Sequence, residues 1–184
     1  MIRAGVLLGA LFLAGCATFV PPPVVRELPQ APPEDAWARV LAGYVDAQGR
    51  VDFAGLAKNR GDLDRYAAWI YAYGPANRPE RYRTREQVLA YHINAYNALA
   101  MYNVIAAGMP IALATFGERY DFFYRRKLRV GGEEISLYDY ENRVIRALGE
   151  ERVHFALNCM AVSCPRLPRK PFSAATRYAS AIVG

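Results

Sequence analysis

The longest regular pattern of apolar positions lies between residues 84 and 107 and predicts a helix. Apolar residues recur there at helical spacing on two faces, as in a helix that is buried on more than one side. Thr84 followed by Gln87 is a capping-box pattern, and Gly108 with Pro110 is a stop signal. We therefore expect a buried central helix over about 84–107.

Shorter stretches with helical spacing predict further helices. Trp37, Val40, Leu41 and Tyr44 share one face of a helix over residues 34–44. A second helix is expected over 61–73, before Gly74, and a third over 137–148, where Ser136 and Asp139 supply the N-terminal cap. Ser173 is expected to cap a final short helix.

The remaining patterned stretches predict strands. Residues 44–53 indicate a hairpin that turns at Gln48-Gly49, and residues 122–135 indicate a second hairpin that turns at Gly131-Gly132. Residues 152–158 are apolar and β-prone, which favours a buried core strand. Helices and hairpins without βαβ alternation predict a compact, single-domain α+β fold.

The N-terminal residues have the pattern of a targeting segment. Residues 1–15 carry one charge, at Arg3, ahead of an apolar run too short to span a bilayer. The run ends in small residues before Cys16, which resembles a bacterial lipobox and implies acylation of Cys16; a secretory peptide with an incidental cysteine is the alternative. We expect an envelope protein that is lipid-anchored in the outer membrane and faces the periplasm.

Proline content then separates a tether from the domain. Six of the twelve prolines lie between residues 21 and 33, and proline favours extended backbone. Residues 16–33 are therefore interpreted as the lipidated cysteine with a semi-rigid tether, and residues 34–184 as the domain. A length of 184 residues suits one domain.

The amino-acid composition limits the metal sites and partners that can be expected. With only two histidines, His92 and His154, the chain cannot build a histidine-rich metal centre. We expect no metal and no cofactor, since the spacing of His154, Cys159 and Cys164 is not a recognised zinc pattern. The net charge of +6 favours an anionic envelope component as partner. A peptide, and the lipid bilayer that acylated Cys16 would enter, are the other expected partners, and no nucleic acid is expected.

Three stretches together resemble a known family. Residues 91–105, 128–146 and 152–167, the last containing HFALNC and then SCP, resemble the domain of unknown function 547 family. The resemblance implies a compact α+β domain, often on envelope lipoproteins, and suggests a papain-like Cys-His-Glu constellation. The family usually has Glu-His where this chain has Glu141-Asn142. The family also usually continues beyond Phe172 with further helices, so we expect a short, truncated form.

The catalytic hypothesis assigns one role to each residue. Cys159 is the expected nucleophile, with Cys164 as the alternative thiol, His154 the base and Glu141 the acid that orients it. Asn158 or Asn94 could donate to an oxyanion. The expected chemistry is that of a thiol hydrolase or acyl transferase acting on a peptide or acyl bond.

Each of these assignments has a structural alternative. An oxidising periplasm favours a Cys159–Cys164 disulfide, which would make the protein a non-catalytic binding or scaffolding lipoprotein. A straight strand would put His154 and Cys159 on opposite faces. Asn94 and Asn97 could orient a substrate amide or tie a neighbouring loop to the helix. His92 lies on an apolar stripe and is expected in the core.

Overall fold

The computed structural model describes residues 17–161 and 163–174. The leader 1–15, Cys16 and the helix expected after Ser173 lie outside these residues. In the described part, the helices before the sheet hairpin are α1 (Glu34–Tyr44), α2 (Phe53–Lys58), α3 (Gly61–Ala72), α4 (Arg85–Ala106) and α5 (Phe116–Tyr120). The strands are β1 (Thr18–Phe19), β2 (Arg126–Val130) and β3 (Glu133–Ser136), and α6 (Leu137–Asp139) follows them. This arrangement confirms the α+β prediction.

Helix α4 is the centre of the fold. Thr84 caps it in the predicted capping box with Gln87, and every residue from Leu89 to Asn103 is buried. Helix α3 contacts α1, α4 and strand β2, so it joins the helical part to the sheet. The prediction of a buried central helix is confirmed, as are the helices over 34–44 and 61–73.

The sheet has three strands in the order β1-β2-β3. Strands β2 and β3 form the predicted hairpin around Gly131-Gly132, and the Gly131 and Gly132 amides donate to the Ile70 and Tyr71 carbonyls at the end of α3. Gly131 has a positive φ of 59°, and an added Cβ would meet the Asn77 side chain at 3.4 Å, so glycine is favoured there. The other predicted hairpin, over 44–53, is present as one antiparallel bridge between Val45 and Val51.

Strand β1 comes from the stretch interpreted as a tether. Thr18 pairs in parallel with Arg126, and Val20 is buried. The Tyr71 and Tyr102 hydroxyls donate to the Val20 and Pro21 carbonyls. Residues 18–21 are therefore packed on the domain that was expected to begin near residue 34.

The strand predicted over 152–158 is wrong, because Glu151–Phe155 is a 3-10 helix. Val153, Ala156 and Leu157 are buried whereas Phe155 is exposed. Burial at positions i, i+3 and i+4 is the spacing of a helical face rather than of a strand. The strand predicted from residue 122 is also corrected, since Asp121–Arg125 is a π-helical turn and β2 begins after it.

The helix predicted over 137–148 is present, but its winding changes along its length. It begins as α6, continues as a π-helical segment over Tyr140–Ile145 and ends as a 3-10 turn over Arg146–Leu148. Gly149 then adopts a left-handed conformation with φ 69°, as is common after a helix C-terminus. The π segment brings residues five positions apart onto the same face.

Candidate functional site

Asn94 lies in the middle of α4 with nearly all of its hydrogen-bonding capacity in use. Its Oδ1 accepts from the Trp37 indole at 3.1 Å and from the Phe172 amide at 3.0 Å. Its Nδ2 donates to the Phe172 carbonyl at 2.8 Å. Three of the four bonds that an asparagine side chain can make are therefore spent on holding α1 and the C-terminal segment to α4.

Asn97, one turn further along α4, holds the loop that contains the cysteines. Its Oδ1 accepts from the Asn158 amide at 2.8 Å, and its Nδ2 donates to the Ala156 carbonyl at 2.9 Å. Asn158 in turn donates through Nδ2 to the Pro165 carbonyl and accepts through Oδ1 from the Met160 amide, each at 2.7 Å. We call Asn94, Asn97 and Asn158 the asparagine clamp.

The side chains of the asparagine clamp bond mainly to the main chain of neighbouring segments. All three residues are buried, and the partners above are main-chain groups together with the Trp37 indole. Their predicted role in orienting a substrate stays a prediction, whereas the alternative, that they tie a loop to the helix, matches the contacts.

Cys159 and Cys164 are joined in a disulfide, with their Cα atoms 6.2 Å apart. The Cys159 amide also donates to the Cys164 sulfur at 3.2 Å, and the Cys164 amide donates to the Ala161 carbonyl at 3.0 Å. Met160 supports the turn with a positive φ of 66°. In this arrangement neither sulfur is a free thiol.

Glu141 and His154 lie on either side of an arginine that sequence reasoning missed. Arg146 Nη2 donates to Glu141 Oε1 at 2.7 Å and contacts His154 Nδ1 at 3.1 Å. The second carboxylate oxygen of Glu141 accepts from the Tyr96 hydroxyl at 3.3 Å. We call Glu141, Arg146 and His154 the surface trio, and in it the carboxylate reaches the imidazole only through the guanidinium.

The hydrogen bonds of the surface trio run in a different direction from those of a catalytic triad. A guanidinium has donors only, so Nδ1 of His154 accepts from Arg146 and the proton of the neutral ring sits on Nε2. In a triad the carboxylate accepts from Nδ1–H, which leaves Nε2 free to take the proton of the nucleophile. The sequence signal for Arg146 is its spacing from Glu141. It follows Glu141 by five residues, and residues five positions apart lie on the same face of a π-helical segment.

His92 lies in the core, as its apolar stripe predicted. Its Nδ1 and the hydroxyl of Tyr140 share a hydrogen bond of 2.9 Å, and both residues are buried. Burial lowers the pKa of His92 to about 4 and raises the pKa of Tyr140 well above its usual value. This pair is therefore neutral near pH 7.

Sequence reasoning also missed a cavity beside α4. Its volume is about 270 Å³. Aromatic side chains, among them Trp37, Tyr66 and Trp69, line it together with the charged and polar side chains of Glu34, Arg81 and Asn94. Trp37 stacks on Tyr66 with ring centroids 5.4 Å apart. Both tryptophans of the chain line this cavity. The available signal was the recurrence of aromatic residues on the inner faces of α1, α3 and α4.

Within residues 17–161 and 163–174, no group of three or more His, Cys, Asp or Glu side chains is arranged to hold a metal ion. In the same part of the chain, no helix is both long enough and apolar enough to cross a bilayer.

Comparisons with known proteins identify the family. No match is found among curated proteins or among solved structures. A family described as "Protein of unknown function, DUF547" matches residues 79–179, which is more than half of the chain and covers α4, the hairpin, the surface trio and the disulfide. This confirms the resemblance read from the three sequence blocks, and the chain belongs to the DUF547 family.

Proposed function

We propose that the protein is a lipid-anchored envelope lipoprotein whose DUF547 domain binds a ligand or scaffolds a partner without catalysing thiol chemistry. The observation that carries the non-catalytic assignment is the disulfide between Cys159 and Cys164. A nucleophilic cysteine acts as its thiolate, and a sulfur committed to a disulfide cannot do so.

The surroundings of the disulfide support the same assignment. His154 receives a hydrogen bond from Arg146 at the nitrogen where a triad carboxylate would accept one. An oxidising compartment, which the lipobox pattern implies, keeps such a cysteine pair joined. The anchor at Cys16 and a location in the outer membrane, facing the periplasm, are parts of this proposal that rest on the sequence pattern of residues 1–16.

The aromatic cavity is the place we assign to binding. Small-molecule sites are concave, mainly apolar and supplied with a few polar groups, and this cavity combines aromatic side chains with the polar side chains of Glu34, Arg81 and Gln87. Its volume of about 270 Å³ suits one small ring. A sugar ring packs its C–H face on aromatic side chains while its hydroxyls hydrogen-bond, so we assign the cavity to a saccharide unit.

Thiol titration without reductant tests the non-catalytic assignment. We expect Cys159 and Cys164 to be unreactive in the folded protein, and the mass of the chain to be lower by two hydrogen atoms. Cys164→Ala is the positive control, because it frees Cys159. A single fast-reacting thiol at pH 6 in the wild-type chain, slowed by His154→Ala, would overturn the proposal in favour of the thiol enzyme.

The anchor and the cavity are tested separately. Incorporation of a labelled fatty acid that Cys16→Ser abolishes is the result expected for a lipoprotein, and equal incorporation into both forms would contradict it. Because both tryptophans line the cavity, titration with N-acetylglucosamine is expected to change intrinsic fluorescence with saturation. A spectrum that stays unchanged up to the solubility limit of the sugar would remove the saccharide assignment.

A further inference from the structure

Four aromatic rings form a continuous stack on the surface of the domain. Phe116, Tyr120 and Tyr124 follow one another at intervals of four residues, with centroids 6.0 and 5.2 Å apart, and Tyr124 stacks on Tyr138 at 4.3 Å. We call these four residues the surface ladder. All four are exposed, and Phe116 retains 76% of its accessible surface.

The loop before α5 also exposes apolar side chains. Ile111 is fully exposed, and Met109 is exposed with a positive φ of 56°. Large apolar side chains scattered singly over a surface are ordinary, whereas a contiguous patch of them marks an interaction site. Stacked rings in direct contact make the surface ladder such a patch.

Charged side chains of both signs lie along the chain that forms the surface ladder. Between residues 116 and 130 there are five basic side chains and two acidic ones, Glu118 and Asp121. Three of the basic groups form ion pairs: Arg125 with Asp121, Lys127 with Asp139, and Arg129 with Glu134. Arg119 is exposed and donates to the neutral carbonyls of Leu113 and Ala114. Tyrosine rings next to arginine and lysine are typical of surfaces that rest in the headgroup region of an anionic bilayer.

The sheet register places this surface close to the proposed lipid anchor. Tyr124 is two residues from Arg126, and Arg126 pairs with Thr18 on the adjacent strand, about 5 Å away. Cys16 is two residues before Thr18, a stretch that spans at most about 7 Å. Cys16 is thus connected to the surface ladder through four residues of chain and one strand pairing, with no long tether between them.

We infer that the surface ladder is a membrane-contact face, which rests on the phospholipid headgroups of the bilayer that holds the acyl chains of Cys16. This inference depends on the lipid anchor of the proposed function and adds the orientation of the domain. An acyl chain next to a strand that belongs to the sheet brings the bilayer to this side of the domain. The rings enter the interface and the exposed guanidinium of Arg119 meets anionic headgroups, which supplies a second membrane signal beside lipidation.

Two glycines give a matched pair of probe positions. Gly117 lies in α5 beside Phe116, and a Cβ there would meet only the Thr115 hydroxyl, at 4.0 Å. Gly43 lies in α1 with nothing within 4 Å of an added Cβ. Both are exposed, and the native cysteines are accounted for by the anchor and the disulfide. Gly117→Cys and Gly43→Cys can therefore each carry a single nitroxide label.

The experiment uses the acylated full chain in vesicles of phosphatidylethanolamine and phosphatidylglycerol. The nitroxide at position 117 is expected to be more accessible to oxygen, which concentrates in lipid, than to a water-soluble nickel chelate. The nitroxide at position 43 is expected to show the opposite preference. The double substitution Phe116→Ser and Tyr120→Ser should return the label at 117 to the behaviour of the label at 43.

The outcomes separate this inference from the proposal on which it rests. A chain that lacks acyl groups and does not float with the vesicles overturns the lipid anchor and, with it, the membrane-contact face. An acylated chain that floats but whose label at 117 is as water-exposed as the label at 43 overturns the membrane-contact face alone. Protection of position 117 from both reagents, with self-association in detergent, would instead assign the surface ladder to contact with a second copy of the chain.

Discussion

The asparagine clamp and the surface trio contain residues of similar polarity, yet they are used in opposite ways. Asn94 and Asn97 are buried and hold main-chain groups that are 59 to 78 residues away in sequence. The bonds within the surface trio lie inside a stretch of 14 residues, 141–154, and the side chain of Arg146 is 47% exposed. The neutral amides therefore hold distant parts of the chain together. The residues of the catalytic hypothesis, Glu141 and His154, instead bond locally to Arg146.

This difference has an energetic basis. A buried amide whose partners are main-chain groups cannot be removed without leaving those groups unpaired, at a cost of roughly 1–3 kcal/mol for each group. An exposed ion pair is screened by water and contributes about 0–1 kcal/mol. We therefore expect substitutions in the asparagine clamp to lower the free energy of unfolding strongly, and substitutions in the surface trio to lower it only slightly.

Removal of Asn94 is expected to have the largest effect. Asn94→Ala leaves the Trp37 indole and both main-chain groups of Phe172 without their partner. We expect the free energy of unfolding to fall by about 4 kcal/mol, measured by denaturant unfolding. Asn142→Ala, which removes only a bond to the Tyr138 carbonyl within the same helix, is the control with little expected change. Equal losses of unfolding free energy in Asn94→Ala and Asn142→Ala would contradict the special role assigned to the buried amide.

Lowering the pH is expected to reduce the free energy of unfolding through the buried residue His92. Burial lowers the pKa of His92 to about 4 in the folded protein, against about 6.5 when it is unfolded. The stability from this residue is complete above pH 6.5. It falls as the pH drops towards 4, because the unfolded chain then binds a proton that the folded chain does not.

The loss from His92 over that window is about 3 kcal/mol. It is measured as the pH dependence of the free energy of unfolding. His92→Phe removes the titrating group and should flatten the profile between pH 6.5 and 4, whatever its effect at neutral pH. A variant profile as steep as that of the wild type would assign the acid sensitivity to other groups.

Sequence patterns were sufficient where the determinants were local. The ends of α4 follow from Thr84, Gln87 and Gly108, and the β2–β3 hairpin follows from its two glycines. Strand β1 could not be predicted in this way, because two residues at Thr18–Phe19 become a strand only by pairing with β2, more than 100 residues later. Helix α2 is short and was not predicted either, although its cap at Asp52 is a local signal.

The candidate site was harder to predict for the same reason. Residue types identified Glu141, His154 and Cys159, but contacts with Arg146 and Cys164 decide what they can do. The apolar, β-prone residues of 152–158 favour a strand by composition, whereas the helical spacing of Val153, Ala156 and Leu157 agrees with the structure. The pairing of Cys159 with Cys164 was one of several alternatives that the sequence left open.

The disulfide is expected to have an intermediate effect, since it closes a short loop that the asparagine clamp already holds. Cys159→Ala combined with Cys164→Ala should lower the free energy of unfolding by about 2 kcal/mol, the value expected for a closed loop of this size. Reduction of the wild-type protein should give a similar loss without any substitution. A loss as large as that of Asn94→Ala would mean that the disulfide, rather than the asparagine clamp, holds the C-terminal segment.

Breaking the surface trio is expected to have the smallest effect. Arg146→Met removes the ion pair with Glu141 and the contact with His154 but keeps the aliphatic stem. Because the guanidinium is half exposed, the expected loss of stability is below about 1 kcal/mol, and it should shrink further at high salt. The diagnostic measurement is the NMR tautomer state of His154: without Arg146 the preference for a proton on Nε2 should weaken. If Arg146→Met costs as much as Asn94→Ala, the surface trio has a structural role equal to that of the asparagine clamp, and the contrast between the two regions fails.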